Sequence, residues 1–330
     1  MTRNIIIIML YGMVILGGIF AALSYYHRTN EDAWISFNYA RNLADGHGLV
    51  SHPGGETQEG YSNFFLVLLL AVLKLALNSN IVHSAKIIGV VSLIAIVLIT
   101  PFMVRLLLSA LKTDCKPLVH PEHFYVHSLS WVVAASIGFS QYMGWWSTQG
   151  LETILYALSV WLLVYLTLKI ILTQHYRHLL LLTVLAFISA NIRPEGLMNF
   201  PVAMGLIGLS ALIDNTIHRP LIQAFFTSIG LYLLLVLLVV GFKWCYFGDI
   251  VANPTYVKLA LSLTHKPYDY LTRYFFIKGW AFTLVAALAL VAALGWILMR
   301  FKRLTLQNLK VVLQWNKRIF YCAKYALLFS

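Results

Sequence analysis

Residues 87–108 read IIGVVSLIAIVLITPFMVRLLL, and the fold is decided by how this stretch is read. It carries a single charge, Arg105. A bilayer core of about 30 Å is crossed by a helix of about 20 apolar residues. No surface helix of a soluble protein is apolar on every side for that length. Similar stretches lie at 5–24, 63–77, 124–145, 152–173, 178–192, 195–213, 221–242 and 280–299. Those at 63–77 and 178–192 are short for a crossing. The chain as a whole is 60% hydrophobic and 11% charged over 330 residues. Its mean hydropathy is +0.78. Surface-to-volume scaling leaves a soluble chain of this size nowhere to bury so much apolar surface.

The expected fold is therefore an all-α, polytopic membrane helical bundle of about 8–10 transmembrane helices. Residues 1–299 form one transmembrane module. The basic segment 300–330 lies along the inner surface, and 319–330 reads as the start of a further helix. The first apolar run is longer than the core of a signal peptide and reads as an uncleaved anchor.

Charge sets the orientation. Placing 25–62, 148–152, 191–195 and 243–279 outside leaves Arg177, Arg219 and the Arg300, Lys302 and Arg303 cluster inside, as the positive-inside rule asks. Nine of the twelve acids then fall outside: Glu31, Asp32, Asp45, Glu56, Glu59, Glu152, Glu195, Asp249 and Asp269. Two features resist. The loop 243–279 carries Lys243, Lys258, Lys266, Arg273 and Lys278, more than a passive outer loop needs, so some of them are expected to bind an anion. In addition, if both 63–77 and 87–108 cross, Lys112 and Lys116 end up outside. Parity returns if 63–77 lies along the membrane or only dips into it.

The net charge of +12 comes from cations scattered between apolar runs. They form no stripe of the kind that tracks a phosphate backbone, so no nucleic-acid partner is expected. The expected partner of the excess is anionic membrane lipid. Cys115, Cys245 and Cys322 have no metal-ligand spacing, and among the eleven histidines only His123 and His127 fall four apart, with no HExxH motif, so no metal site is expected. His47 and His52 read as solvated loop residues.

The most polar region is 25–62. Thr29 or Asn30 can cap a helix whose first turn holds Glu31 and Asp32. Trp34, Phe37, Asn38 and Arg41 follow at helical spacing, with the aromatic side expected toward lipid, and Gly46 and Gly48 end the helix. A carboxylate at the membrane boundary can take a proton from a hydroxyl. Two acids in a first turn also simply complement the helix dipole. A second polar group, Gln149-Gly150-Leu151-Glu152-Thr153, opens a membrane helix behind Trp145 and Trp146, which fit an interfacial belt or a sugar platform. A third, Asn191-Ile192-Arg193-Pro194-Glu195-Gly196, separates two apolar runs. There Arg193 is either an interfacial ion-pair partner or a phosphate ligand. The fourth is the turn Gly248-Asp249 with Asn253-Pro254 and Lys258.

Taken together, these stretches resemble the membrane glycosyltransferases of the GT-C superfamily. The nearest group is that of the mycobacterial terminal arabinofuranosyltransferase and its bacterial relatives. The resemblance rests on Glu31-Asp32-Ala33-Trp34-Ile35-Ser36-Phe37 through Arg41-Asn42-Leu43, on Glu59-Gly60-Tyr61-Ser62-Asn63, on Gly150-Leu151-Glu152-Thr153, on Arg193-Pro194-Glu195-Gly196, and on Gly248-Asp249, Asn253, Tyr256 and Lys258, in that order. Glu31 stands where the family has Asp, Asn38 where it has Arg, and Ala252 where it has Pro.

The resemblance implies transfer of a sugar from a polyprenyl-phosphate donor to a glycan or lipid-linked acceptor at the outer face of a bacterial inner membrane. Inversion at the sugar is implied, and the only co-substrate is the lipid-linked donor, with no cofactor. Asp32 or Glu31 would be the base. Arg193, Lys258 and Arg41 would hold the donor phosphate. Glu59, Tyr61, Glu152, Glu195, Asp249 and Asn253 would contact substrate. Two other readings stay open: a transporter or flippase of a lipid-linked sugar, which predicts repeated halves and broken helices at mid-membrane, and a non-catalytic membrane subunit. Neither repeats nor broken helices are legible in the sequence.

Overall fold

The computed structural model describes residues 2–111, 121–213 and 218–254. The expected segment 280–299, the tail 300–330, Cys115, Cys322, Tyr256 and Lys258 lie outside the described residues. Contacts divide the chain into two units, and the first, Met1–Leu212 with Ile217–Ala260, holds the bundle.

The described residues are helical, with no strand among them. The helices are α1 (Thr2–Leu23), α2 (Ala33–Ala44), α3 (Phe64–Leu77), α4 (Ile81–Leu111), α5 (Pro121–Gly138), α6 (Gln141–Thr148), α7 (Thr153–Thr173), α8 (His178–Ile192), α9 (Asn199–Ile213) and α10 (Arg219–Phe247). A 3-10 turn, Pro194–Met198, joins α8 to α9. Four stretches are long and apolar enough to cross a membrane: Ile81–Leu107, Thr153–Thr173, Pro194–Ile213 and Arg219–Phe247. Phe226, Leu233, Leu234, Leu237 and Leu238 of α10 are exposed, which suits lipid rather than water.

Contacts between helices fix their directions. The end of α1 meets the start of α4, where the Lys86 ammonium donates to the carbonyls of Tyr26 and Arg28. Farther along, Gly138 packs on Val14 and Val97, and Gly89 on the Ser147 carbonyl. α4 therefore runs antiparallel to α1, and α6 returns parallel to it. In the next hairpin Ser159 Oγ donates to Ser189 Oγ at 3.0 Å, and Arg193 stands 3.7 Å from Glu152, so α7 and α8 are antiparallel. The Phe200 and Tyr232 rings stack 4.0 Å apart, and Gly208 meets Phe225. This makes α9 and α10 antiparallel as well. The ends of α1, α6, α8 and α10 and the starts of α4 and α7 thus share one end of the bundle, called here the polar end.

Helix α3 does not leave that end. Its N-cap residue Asn63 donates to Glu152 at the start of α7, while Lys74, one turn before its other end, pairs with Asp45 just past α2. Asn78, with φ 46°, then turns the chain, and Asn80 Oδ1 caps α4 by accepting from the Val82 and His83 amides. Fourteen residues span about 21 Å, short of a bilayer core. Both ends of α3 thus stand at the polar end, which differs from the reading of 63–77 as a crossing.

Three expectations change. Residues 124–145 do not form one run, because the helix breaks at Phe139 and Ser140, whose Oγ accepts from the Met143 amide at 3.4 Å. The break lies level with Leu93 and Val97, about 10–16 Å along α4 from Lys86. Residues 243–247 are not loop but the last turn of α10, which Gly248 closes at φ 73°. Lastly, only half of the α2 aromatic side is exposed. Trp34 is open, whereas Phe37 is buried on the core face with Ala33 and Ala40, against Gly150.

Candidate functional site

The polar end gathers residues from all four polar stretches of the sequence. Asn30 opens it: its Oδ1 accepts from the Asp32 amide, and its own amide donates to the Gln149 carbonyl at 3.1 Å. Glu31 and Asp32 therefore precede α2 in a turn instead of filling its first turn. Both are exposed. Ser36, one helical turn beyond Asp32 and on the same face, is buried. Its hydroxyl donates to Asn63 Oδ1 at 2.9 Å, and Asn63 Nδ2 donates to Glu152 Oε2 at 2.8 Å. Glu152 Oε1 faces the Arg193 guanidinium at 3.7 Å, and Arg193 lies 3.5 Å from Glu195. One continuous chain of contacts thus runs from α2 through α3 and α7 to the 3-10 turn.

The placement follows from local sequence. Gly150, at φ 81°, lets the backbone between α6 and α7 come within reach of α2. A Cβ there would stand 2.6 Å from the Phe37 ring. Gly196 presses on the Ser189 carbonyl at 2.3 Å for an added Cβ, so the 3-10 turn folds back onto α8 and holds Arg193 over the Tyr156 ring, 5.8 Å from its centre. Pro194 starts that turn, as its fixed φ favours.

Beside this chain sits a second pair. Glu59 is 3% exposed in its side chain and meets Lys243 of α10 at 2.8 Å through Oε1. Among the described residues, its Oε2 and the hydroxyl of the equally buried Tyr61 accept and donate no hydrogen bond. Burial pushes the Glu59 carboxyl up. Lys243 opposes that rise and Asp249 adds to it. Burial likewise pushes the Tyr61 phenol up, with Glu59, Tyr39 and Tyr246 adding to it, and it raises Tyr39. The strap 45–63 is tied down by four further bonds. Leu49 N donates to Tyr246 Oη at 3.0 Å, Tyr39 Oη to Gln58 O at 2.8 Å, Asn253 N to Glu59 O at 2.9 Å, and Asn253 Nδ2 to Gln58 Oε1 at 3.2 Å. The rings of Tyr39, Tyr61, Phe64, Phe242 and Tyr246 pack in sequence around it.

Not every candidate joins. Arg41 is exposed on the last turn of α2, toward Asp45 and away from Ser36. Asp249 Oδ1 accepts from the Ile250 and Val251 amides, and its charge acts on Glu59 from beyond the end of α10. His47 and His52 are exposed. Trp145 stands under Arg28, 5.5 Å from its guanidinium, and edge-on to Tyr25. Among the described residues no three His, Cys, Asp or Glu side chains cluster as metal ligands. A shallow groove between α1 and α4, lined by Ile19, Ala22, Leu23, Tyr26, Ile87, Val90 and Val91, is wholly apolar and apart from the acids.

Comparison with known proteins adds no analogue: no family model matches the chain, and neither does any curated protein or solved structure.

Lys243, Ser36 and Asn63 are the participants that the list of candidates lacked. Lys243 was flagged only as one of several loop cations. Its signal was a cation at the end of a long apolar run, a costly place without a partner.

Proposed function

We propose that this chain is a membrane glycosyltransferase that moves a sugar from a polyprenyl-phosphate donor to a hydroxyl of a glycan or lipid-linked acceptor. The observation that carries the reading is the gathering of Ser36, Asn63, Glu152 and Arg193 at one end of an apolar bundle. A donor with a lipid tail and a charged head needs both environments within one molecule, and the polar end supplies their junction. In this reading seven crossings fall within the described residues: α1, α4, α5 with α6, α7, α8, the 3-10 turn with α9, and α10. Helices α2 and α3 lie on the outer face. Lys112, Lys116, Arg177 and Arg219 then lie inside, which suits a bacterial inner membrane with the site facing the periplasm.

In chemical terms, Arg193 stabilises the charge of the leaving phosphate. The family resemblance gives Lys258 the same role, whereas Arg41 stands apart from the contact chain that holds Arg193. Asp32, with Glu31 beside it, is the base the resemblance implies. A carboxylate base takes the proton of the acceptor hydroxyl as that oxygen attacks the sugar from the face opposite the phosphate. No covalent intermediate is needed, so the sugar inverts.

A radiolabelled panel of polyprenyl-phosphate sugars in proteoliposomes tests this, with the wild type beside Asp32→Ala and Glu31→Ala. Transfer by the wild type and its loss in one variant supports the assignment. A folded wild type that binds donor and transfers nothing refutes it.

One observation favours the second reading, a carrier of lipid-linked sugar. The break at Phe139 and Ser140 lies at mid-height, where transporters interrupt their helices. The acids and cations, however, stand at the end and not at the break.

A further inference from the structure

Glu59 and Tyr61 leave a problem unsolved by the fold. A buried polar atom without a partner is destabilising, and natural proteins hold few of them. Here two occur on one strap two residues apart, Glu59 Oε2 and Tyr61 Oη. Both side chains are more than nine-tenths buried, 4% and 3% exposed. The other carboxylate oxygen is paired with Lys243 at 2.8 Å, which restrains the carboxylate. The exposed acids Glu31 and Asp32 have no such support.

We infer that Glu59 Oε2 and Tyr61 Oη form the unfilled half of a hydrogen-bonding site for the acceptor hydroxyl, with Glu59 as the proton-accepting carboxylate and Lys243 as its positioning residue. This rests on the transferase reading and reassigns the base within it. The step balances. The hydroxyl gives its proton to Glu59 Oε2 while its oxygen bonds to the anomeric carbon. The bond from that carbon to the phosphate oxygen breaks, and its electron pair leaves with the lipid phosphate. Water then takes the proton from Glu59. Tyr61 Oη donates to the hydroxyl oxygen before the attack and keeps its own proton, consistent with its raised phenol.

The charged and titratable groups acting on Glu59 and Tyr61 are Lys243 and Tyr246 of α10, Asp249 beyond it and Tyr39 of α2. A base held up by burial gives the rate an acid limb above the ordinary carboxylate range. Lys243 opposes that rise, so removing its charge moves the limb to higher pH.

The test uses the whole chain in proteoliposomes with the same radiolabelled donor panel. Glu59→Gln is expected to lower transfer on the order of 100-fold or more, the range of general-base help. Tyr61→Phe removes a hydroxyl that bonds nothing among the described residues, so it leaves thermal stability equal or higher and still lowers transfer about 10-fold. Lys243→Met shifts the acid limb upward, and Lys243→Arg restores it. If wild type transfers and both Glu59→Gln and Tyr61→Phe match it, the inference falls and the transferase reading stands. If Glu59→Gln does not fold, Tyr61→Phe decides alone. If wild type transfers nothing from any donor, both fall.

Discussion

Glu59–Lys243 and Glu152–Arg193 stand at the same end of the bundle and are built in opposite ways. The first is tight and dry: 2.8 Å, with side chains 3% and 17% exposed. The second is loose and open: 3.7 Å, with 11% and 31% exposed, and Arg193 shared with the exposed Glu195. In the first pair the cation serves the carboxylate, which lacks other donors. In the second the carboxylate is already held by Asn63, and the cation is left partly free to meet another anion. A buried pair fixes a geometry and an open pair keeps an exchangeable charge, so one end of a bundle holds a positioned carboxylate and an available guanidinium.

Breaking each pair should separate them by size. Lys243→Ala strands a buried carboxylate and is expected to cost roughly 3–5 kcal/mol in unfolding experiments in detergent. Glu152→Ala removes the acceptor for Asn63 and should cost about 1–3 kcal/mol. Arg193→Ala should cost less than about 1 kcal/mol, since its pair is open to solvent, while its effect on donor binding is large. A loss on Arg193→Ala equal to that on Lys243→Ala would erase the distinction.

Acidity sharpens the contrast further. The native Glu59 carboxyl is raised above its ordinary value of 4.5. The folded state then holds a proton that the unfolded chain has released, so the stability Glu59 contributes is fully present below about 4.5 and is lost as pH rises through its native pKa. Unfolding midpoints of the wild type should fall over that window relative to Glu59→Gln and run parallel to it above. Smallest of all, Asp45→Asn should change stability by about 0–1 kcal/mol, because Asp45 is 43% exposed where it meets Lys74.

A topological test belongs with these. In a cysteine-free background, Thr57→Cys and Asn78→Cys should both be labelled from the outer side, since both ends of α3 lie at the polar end. Labelling from opposite sides would make α3 a crossing and undo the shared face.

The sequence announced helices and membrane character in the plainest terms, because runs like 87–108 have no other stable home. The partnership of motifs was legible only as an expectation of a common face. The structure brings Asn63, Glu152 and Arg193 into contact, although nothing in their local spacing states it. Two features stayed hidden for a physical reason. Residues 124–145 are apolar on both sides of the break, and hydropathy does not register a Ser140 cap. The polar loop around Lys243 began too early because Phe247 and Tyr246 extend α10 under the aromatic cluster, and composition does not distinguish a last helical turn from the loop after it. Glu59 is named by the resemblance as a substrate contact, but its burial and its pairing with Lys243 are not legible, since Lys243 lies on α10, far away in the chain.

The central claim is that the open guanidinium at the polar end receives a lipid-linked phosphate. Native mass spectrometry of the detergent-solubilised wild type and Arg193→Ala with a polyprenyl-phosphate sugar tests it directly. The account predicts a bound donor on the wild type and at least a 10-fold weaker complex on the variant, with both proteins equally folded. Equal binding by the two would contradict it.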